Sequence, residues 1–175
     1  MSADDVTGTI ATDDAIGFDP RQLLQALHRC GAPAVVIGQV AGIMHGSAEL
    51  TGDLDLLWDG DESHAPAMAE AFRSVGAQLA DDQGVAVACD AVAFLLPKLV
   101  FSTPSASGDC CTPALPWGDL PIAEFLARRQ TAAAAGIEVN YLSREDLIRM
   151  RRVAGRPKDL RRADELERLA SARAH

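Results

Sequence analysis

Two short apolar runs joined by one short helix restrict the fold of this chain more than any other feature. In "PAVVIG" the run Ala34 to Ile37 is continuous, largely β-branched and too short for a helix, so it reads as a buried strand ending at Gly38. "QVAGIMHG" then reads as a short helix closed by Gly46, and "DLDLLW", from Asp53 to Trp58, as the next strand. Strands this apolar need cover on their faces, and the rest of the chain alternates helical and strand patterns. The expected fold is therefore α/β (α+β), a small mixed β-sheet flanked by helices.

The other expected elements follow from caps and periodicity. Asp19 before Pro20 starts a helix that carries Leu23, Leu24 and Leu27 inward and stops at Cys30-Gly31. Ser63 to Val75 forms a helix with Gly76 as its stop. A strand or turn is expected near Val85 to Cys89, a strand at Lys98 to Thr103, and another through Asp109 to Pro113. Pro121 to Ala135 is expected as a helix ending at Gly136, "IEVNYL" as a strand, and Ser143 to Ala154 as a helix with Ser143 and Asp146 at capping-box spacing. Gly155 and Pro157 interrupt it, and Lys158 to Ala172 forms the last helix, so two C-terminal helices occupy about 143–172. Residues 1–17 hold four Asp and no apolar period, which predicts a flexible leader before one domain over 18–175.

Composition excludes several classes. With 48% hydrophobic and 23% charged residues the chain matches an ordinary globular domain, which sets aside coiled coil, collagen and wholesale disorder. No apolar run reaches the roughly 18 residues of a membrane span, and the start lacks a basic and apolar signal pattern, so a cytoplasmic location is expected. Cys30, Cys89, Cys110 and Cys111 make no CxxC pair and predict reduced thiols, with Cys110 and Cys111 on opposite faces of a strand. Net charge is −9, which argues against a protein coated for nucleic acid. The charge is uneven, however: residues 128–175 hold 12 basic against 7 acidic side chains, and residues 1–127 hold 4 against 18. Such a chain can hold a cation on one side and phosphates on the other; a solvated basic helix is the plainer alternative.

The chemistry concentrates at Asp53-Leu54-Asp55. In a strand, residues i and i+2 share a face, so two carboxylates sit side by side and repel unless a cation compensates them, most naturally Mg²⁺, which takes carboxylate and phosphate oxygens together. A strand end with both Asp in water is the alternative. Gly38 lies fifteen residues earlier at a strand-to-helix junction, where backbone N–H groups can meet a phosphate. His45 beside the Gly46 stop reads as structural, and Trp58, Trp117 and Tyr141 are too scattered for a base-stacking platform.

The segment "VVIGQVAGIMHGSAELTGDLDLLWD", Val35 to Asp59, resembles the signature of the nucleotidyltransferase superfamily with a polymerase-β-like palm, and "SREDLIRMRRVAGRPKDLRRADELERL", Ser143 to Leu169, is similar to the C-terminal segment of small bacterial minimal and AbiEii-like members. The resemblance runs from about Pro20 to Leu169. It implies transfer of a nucleoside monophosphate from an NTP such as ATP to an acceptor hydroxyl on RNA (including tRNA), a protein or a small molecule, with two Mg²⁺ held by three carboxylates. Many such relatives are toxins paired with an antitoxin protein, which implies a possible protein partner of that kind. Residue by residue, the resemblance assigns Asp53 and Asp55 to metal binding and catalysis, Gly38 and Gln39 to the triphosphate, Thr51 to the turn beside it, and Arg156 and Lys158 to the nucleotide. Gln39 departs from the Gly or Ser of the family: its amide either replaces a serine hydroxyl or obstructs the phosphate. The third carboxylate is expected at the position of Cys111, with Asp109, two residues earlier on the same strand face, as its substitute for metal and catalysis. A catalytically degenerate palm that binds nucleotide or protein is the alternative function.

Overall fold

A computed structural model describes residues 17–134 and 136–174. Nearly all of the expected leader, residues 1–16, lies outside the described residues. The elements in chain order are α1 (Arg21–Arg29), β1 (Val35–Ile37), α2 (Gly38–Met44), β2 (Asp55–Leu57), a 3-10 turn (Glu62–His64), α3 (Ala65–Ser74), β3 (Gln78–Ala80), β4 (Ala86–Val87), a second 3-10 turn (Ala93–Leu95), β5 (Lys98–Ser102), β6 (Ser107–Cys111), α4 (Ile122–Ala127), β7 (Gln130–Ala134), β8 (Ile137–Tyr141), α5 (Arg144–Ala154) and α6 (Pro157–Arg173). All eight strands join one mixed sheet in the order β4-β3-β5-β6-β2-β1-β8-β7. Two pairings are parallel, β1 with β8 and β2 with β6, and the rest are antiparallel. The α/β expectation therefore holds, with a larger sheet than the sequence suggested.

Alternation along the central strands decides which residues face the core and which face the cleft. Leu54, Leu56, Leu99, Phe101 and Cys110 are fully or almost fully buried. On that face α3 packs against β5 through Phe72 and Phe101, whose rings meet edge to face 5.1 Å apart. α1 packs against α3 and β8. The opposite face carries Asp55, Asp109 and Lys98, and there α2 bridges the sheet to α5, which packs on α6. Among the described residues no helix is long and apolar enough to cross a membrane.

Three expectations are corrected. The helix expected over Pro121 to Ala135 ends at Ala127; residues 130–134 instead form β7, the outer strand of a hairpin paired with β8 from Gln130↔Tyr141 to Ala134↔Ile137. Alanine is the strongest helix former, but propensity yields to tertiary context: the Arg128 guanidinium, just past α4, donates to Asp146 on α5 at 2.9 and 3.2 Å, and residues 130–134 pair with β8. Gly136, read as a helix stop, serves the hairpin turn at φ 79°. The strand expected at Asp109 to Pro113 runs two residues earlier, over Ser107–Cys111. The strand expected from Asp53 begins at Asp55, and Asp53 is attached by a single bridge to Ser107. β3 has no counterpart among the expected elements. The remaining helices agree closely, including α5, where Ser143 Oγ accepts from the Asp146 N–H at 3.2 Å and Gly155 closes the helix in the left-handed conformation.

Candidate active site

At the ends of β1, β2 and β6 the sheet opens into a cleft of about 420 Å³, roofed by α5 and the start of α6. All eight residues singled out from the sequence line it: Gly38, Gln39, Thr51, Asp53, Asp55 and Asp109 from the sheet side, Arg156 and Lys158 from the helices.

The acidic wall is built by register. Leu56 pairs with Cys110 across β2 and β6, which sets Asp55 level with Asp109; the Asp109 N–H donates to Asp55 Oδ1 at 3.4 Å. Cys111, where the third carboxylate was expected, is level with Leu57 and buried, so Asp109 and not Cys111 stands beside Asp55. That register depends on Gly108, because a Cβ there would overlap the Leu54 carbonyl. Gly38 has φ 65° and a Cβ on it would come 2.5 Å from Asp55 Oδ2, so glycine both makes the turn and leaves room for the carboxylate. Thr51 lies beside them: its Oγ1 accepts from the Asp53 N–H at 3.2 Å. Burial first, then the charges of Asp109 and Asp53, push the Asp55 carboxyl up to about 6. Burial, followed by Asp109 and Asp55, pushes the Cys111 thiol up to about 12, which keeps it protonated and inert. Lys98, which sequence reasoning passed over, lies 3.5 Å from Asp109.

The basic wall is assembled by a buried network. Gln39 donates to Ser47 Oγ at 2.9 Å and to the Glu49 carbonyl at 2.8 Å, and its Oε1 accepts from Arg151 at 2.9 Å. The Gln39 side-chain amide is directed inward, its polar atoms binding the glycine turn to α5. Gly42 lets this happen, since a Cβ on it would stand 2.9 Å from Gln39 Oε1 and 3.2 Å from Arg151 Nη2. Glu49 accepts from Arg162 at 3.0 Å and Arg161 at 3.2 Å, which ties in α6. Burial first, then Arg162, pulls the Arg151 guanidinium down to about 10. Arg156 forks onto Asp159 at 2.6 and 3.2 Å. Arg151, Arg162 and Trp117, all in the cleft lining, were missed from the sequence. The arginines had a faint signal in the uneven charge; Trp117 had none. His45 is structural as read: it is buried, and its Nε2 meets the Leu142 carbonyl at 2.7 Å.

Among the described residues no group of three or more His, Cys, Asp or Glu side chains is arranged as a metal cage. The all-oxygen donor set still suits a hard cation: Mg²⁺ is usually held by one or two carboxylates together with waters and substrate phosphates, without a full protein cage. Asp55 and Asp109 side by side, with Lys98 3.5 Å from Asp109, fit that mode. No protein-family model matches the chain, and no curated protein matches it in sequence.

Proposed function

We propose that this chain is a Mg²⁺-dependent nucleotidyltransferase with a polymerase-β-like palm, moving a nucleoside monophosphate from an NTP to an acceptor hydroxyl. One observation carries the reading: a carboxylate cluster and a set of arginine and lysine side chains line one cleft. Asp55 is held up to about 6 by burial and neighbouring carboxylates, while Arg151 is held down to about 10 by burial and a neighbouring arginine. Local pairs such as Lys98 with Asp109 and Arg156 with Asp159 still leave the Asp55 carboxyl and the Arg151 guanidinium away from their ordinary ranges. A ligand that satisfies both must bring a cation to one and a polyanion to the other, which is what a metal-bound triphosphate does.

Asp53, Asp55 and Asp109 would hold Mg²⁺, whose chemistry here is to offset phosphate charge and polarise the reacting phosphorus. Arg156 and Lys158 stand at the open edge of the basic wall to take the β- and γ-phosphates, with Arg151 and Arg162 setting the field behind them. The acceptor oxygen bonds to the α-phosphorus as the bond from that phosphorus to the bridging oxygen breaks; pyrophosphate leaves, and the hydroxyl proton passes to Asp109, the general base. Phosphoryl transfer of this kind depends on positioning and charge, and the cleft supplies both.

The second reading, a degenerate module that binds nucleotide without transfer, draws on Cys111 at the position expected of the third carboxylate and on the Lys98 pair with Asp109. Labelled NTP incubated with the chain and with RNA, protein and small-molecule acceptors separates the two. The expected outcome is label transfer that falls by at least about 100-fold in Asp109→Asn, the usual scale for a group acting on the transition state. Nucleotide binding without transfer onto any acceptor would favour the module.

A further inference from the structure

Part of the cleft lining is aromatic and apolar. Trp117 stands in the loop 112–121 after β6, half-buried and part of the cleft lining. The loop that carries it is held firmly: the Trp117 indole N–H donates to the Thr112 carbonyl at 2.8 Å, the Ala114 N–H to Thr112 Oγ1 at 3.2 Å, and the Thr112 N–H to the Pro97 carbonyl at 3.0 Å. Gly118, at φ 67°, lies against Val153 on α5, since a Cβ on it would stand 3.7 Å from Val153 Cγ1. Trp117 shares the cleft lining with Leu147, Met150 and Ala154 of α5, and Arg156 and Lys158, which follow Ala154 closely in the chain, line it too. One cleft lining thus joins an aromatic and apolar set to a cationic one.

We propose that the base of the bound NTP stacks on the Trp117 indole, with Met150 and Ala154 completing the slot, and that this end selects purines over pyrimidines. The inference rests on reading the cleft as an NTP site. A nucleotide has the same polarity as the slot, one flat π-face and one polyanion, so it enters in a single orientation. Stacking strength rises with ring area, which favours purines. The indole N–H is already engaged by Thr112 and the other named side chains are apolar, so no side chain there reads the base edge. Adenine and guanine are therefore bound alike.

Titration of the full chain with Mg²⁺ and ATP, GTP, CTP, UTP or inorganic tripolyphosphate, followed by calorimetry and tryptophan fluorescence, tests this. Trp58 is fully buried in the core, so quenching on binding reports Trp117. ATP and GTP should bind equally, about tenfold tighter than CTP, UTP or tripolyphosphate, and should quench the emission. Trp117→Ala should lose about that tenfold for ATP and GTP and leave tripolyphosphate unchanged, while Trp117→Phe should keep most of the affinity. The Phe variant also guards against a folding defect in the Ala variant. ATP binding no tighter than tripolyphosphate, or unaltered ATP binding in a folded Trp117→Ala, would overturn the stacking slot and leave the triphosphate reading standing. Failure of both tripolyphosphate and every NTP to bind would overturn the two together.

Discussion

The two walls of the cleft are made by different means. The acidic wall comes from short-range strand geometry: Asp53 and Asp55 alternate past Leu54, and one inter-strand register adds Asp109. The basic wall comes from distant residues drawn together, with Gln39 of α2 bonded to Arg151 of α5 and Glu49 to Arg162 of α6. The acidic wall stores repulsion, and its key carboxyl is held above its ordinary range. The basic wall is cross-linked, yet its central arginine is held below its own. A wall that repels itself gains from losing a charge, whereas a wall that is hydrogen-bonded loses by it.

The strongest test of that contrast is Asp55→Asn in the metal-free protein. The raised Asp55 carboxyl means that the folded state binds a proton more tightly than the unfolded chain between about pH 4 and 6. Wild-type stability from this group is therefore greatest below pH 4, falls as pH rises through about 6, and stays low above it. Asn mimics the protonated form, so Asp55→Asn should match wild type near pH 4 and exceed it by up to about 3 kcal/mol at pH 7 to 8. Denaturant melts in EDTA across this pH range measure the difference, and a variant less stable than wild type at pH 8 would place Asp55 among the structural residues.

On the basic wall the sign reverses. Arg151→Met leaves the buried Gln39 Oε1 without its donor and should cost about 2 kcal/mol, read as a lower denaturation midpoint at every pH from 5 to 8. A melt unchanged from wild type would mean that the network contributes nothing to holding α5 against the glycine turn. The smallest effect belongs to Cys111→Ala. The thiol is buried beside Leu57 and away from the level of Asp55, so the variant should lose about 1 kcal/mol of stability and no transfer activity. Activity that falls with Cys111→Ala as steeply as with Asp109→Asn would break the assignment of the third acidic position.

How far the sequence could be read depended on the range of each interaction. The Asp53 and Asp55 pattern, the turn at Gly38, the Ser143 cap and the Gly155 stop were all legible, because strand alternation, left-handed glycine and helix capping involve residues a few positions apart. The hairpin of β7 was not legible: the alanines of 130–134 have no strand signature of their own, and only pairing with β8 sets them in a strand.

By itself the sequence determined an α/β domain, the glycine-to-helix turn, two adjacent Asp and a basic C-terminal pair of helices, since each follows from local periodicity, capping and charge. Only the tertiary structure decided that Asp109 and not Cys111 stands beside Asp55, that the Gln39 amide is bound inward, and that Trp117 lines the cleft. The Asp55 contact spans 54 positions and the Gln39 contact 112, and contacts at such separations are set by strand register and by the packing of whole elements, to which no local pattern is sensitive.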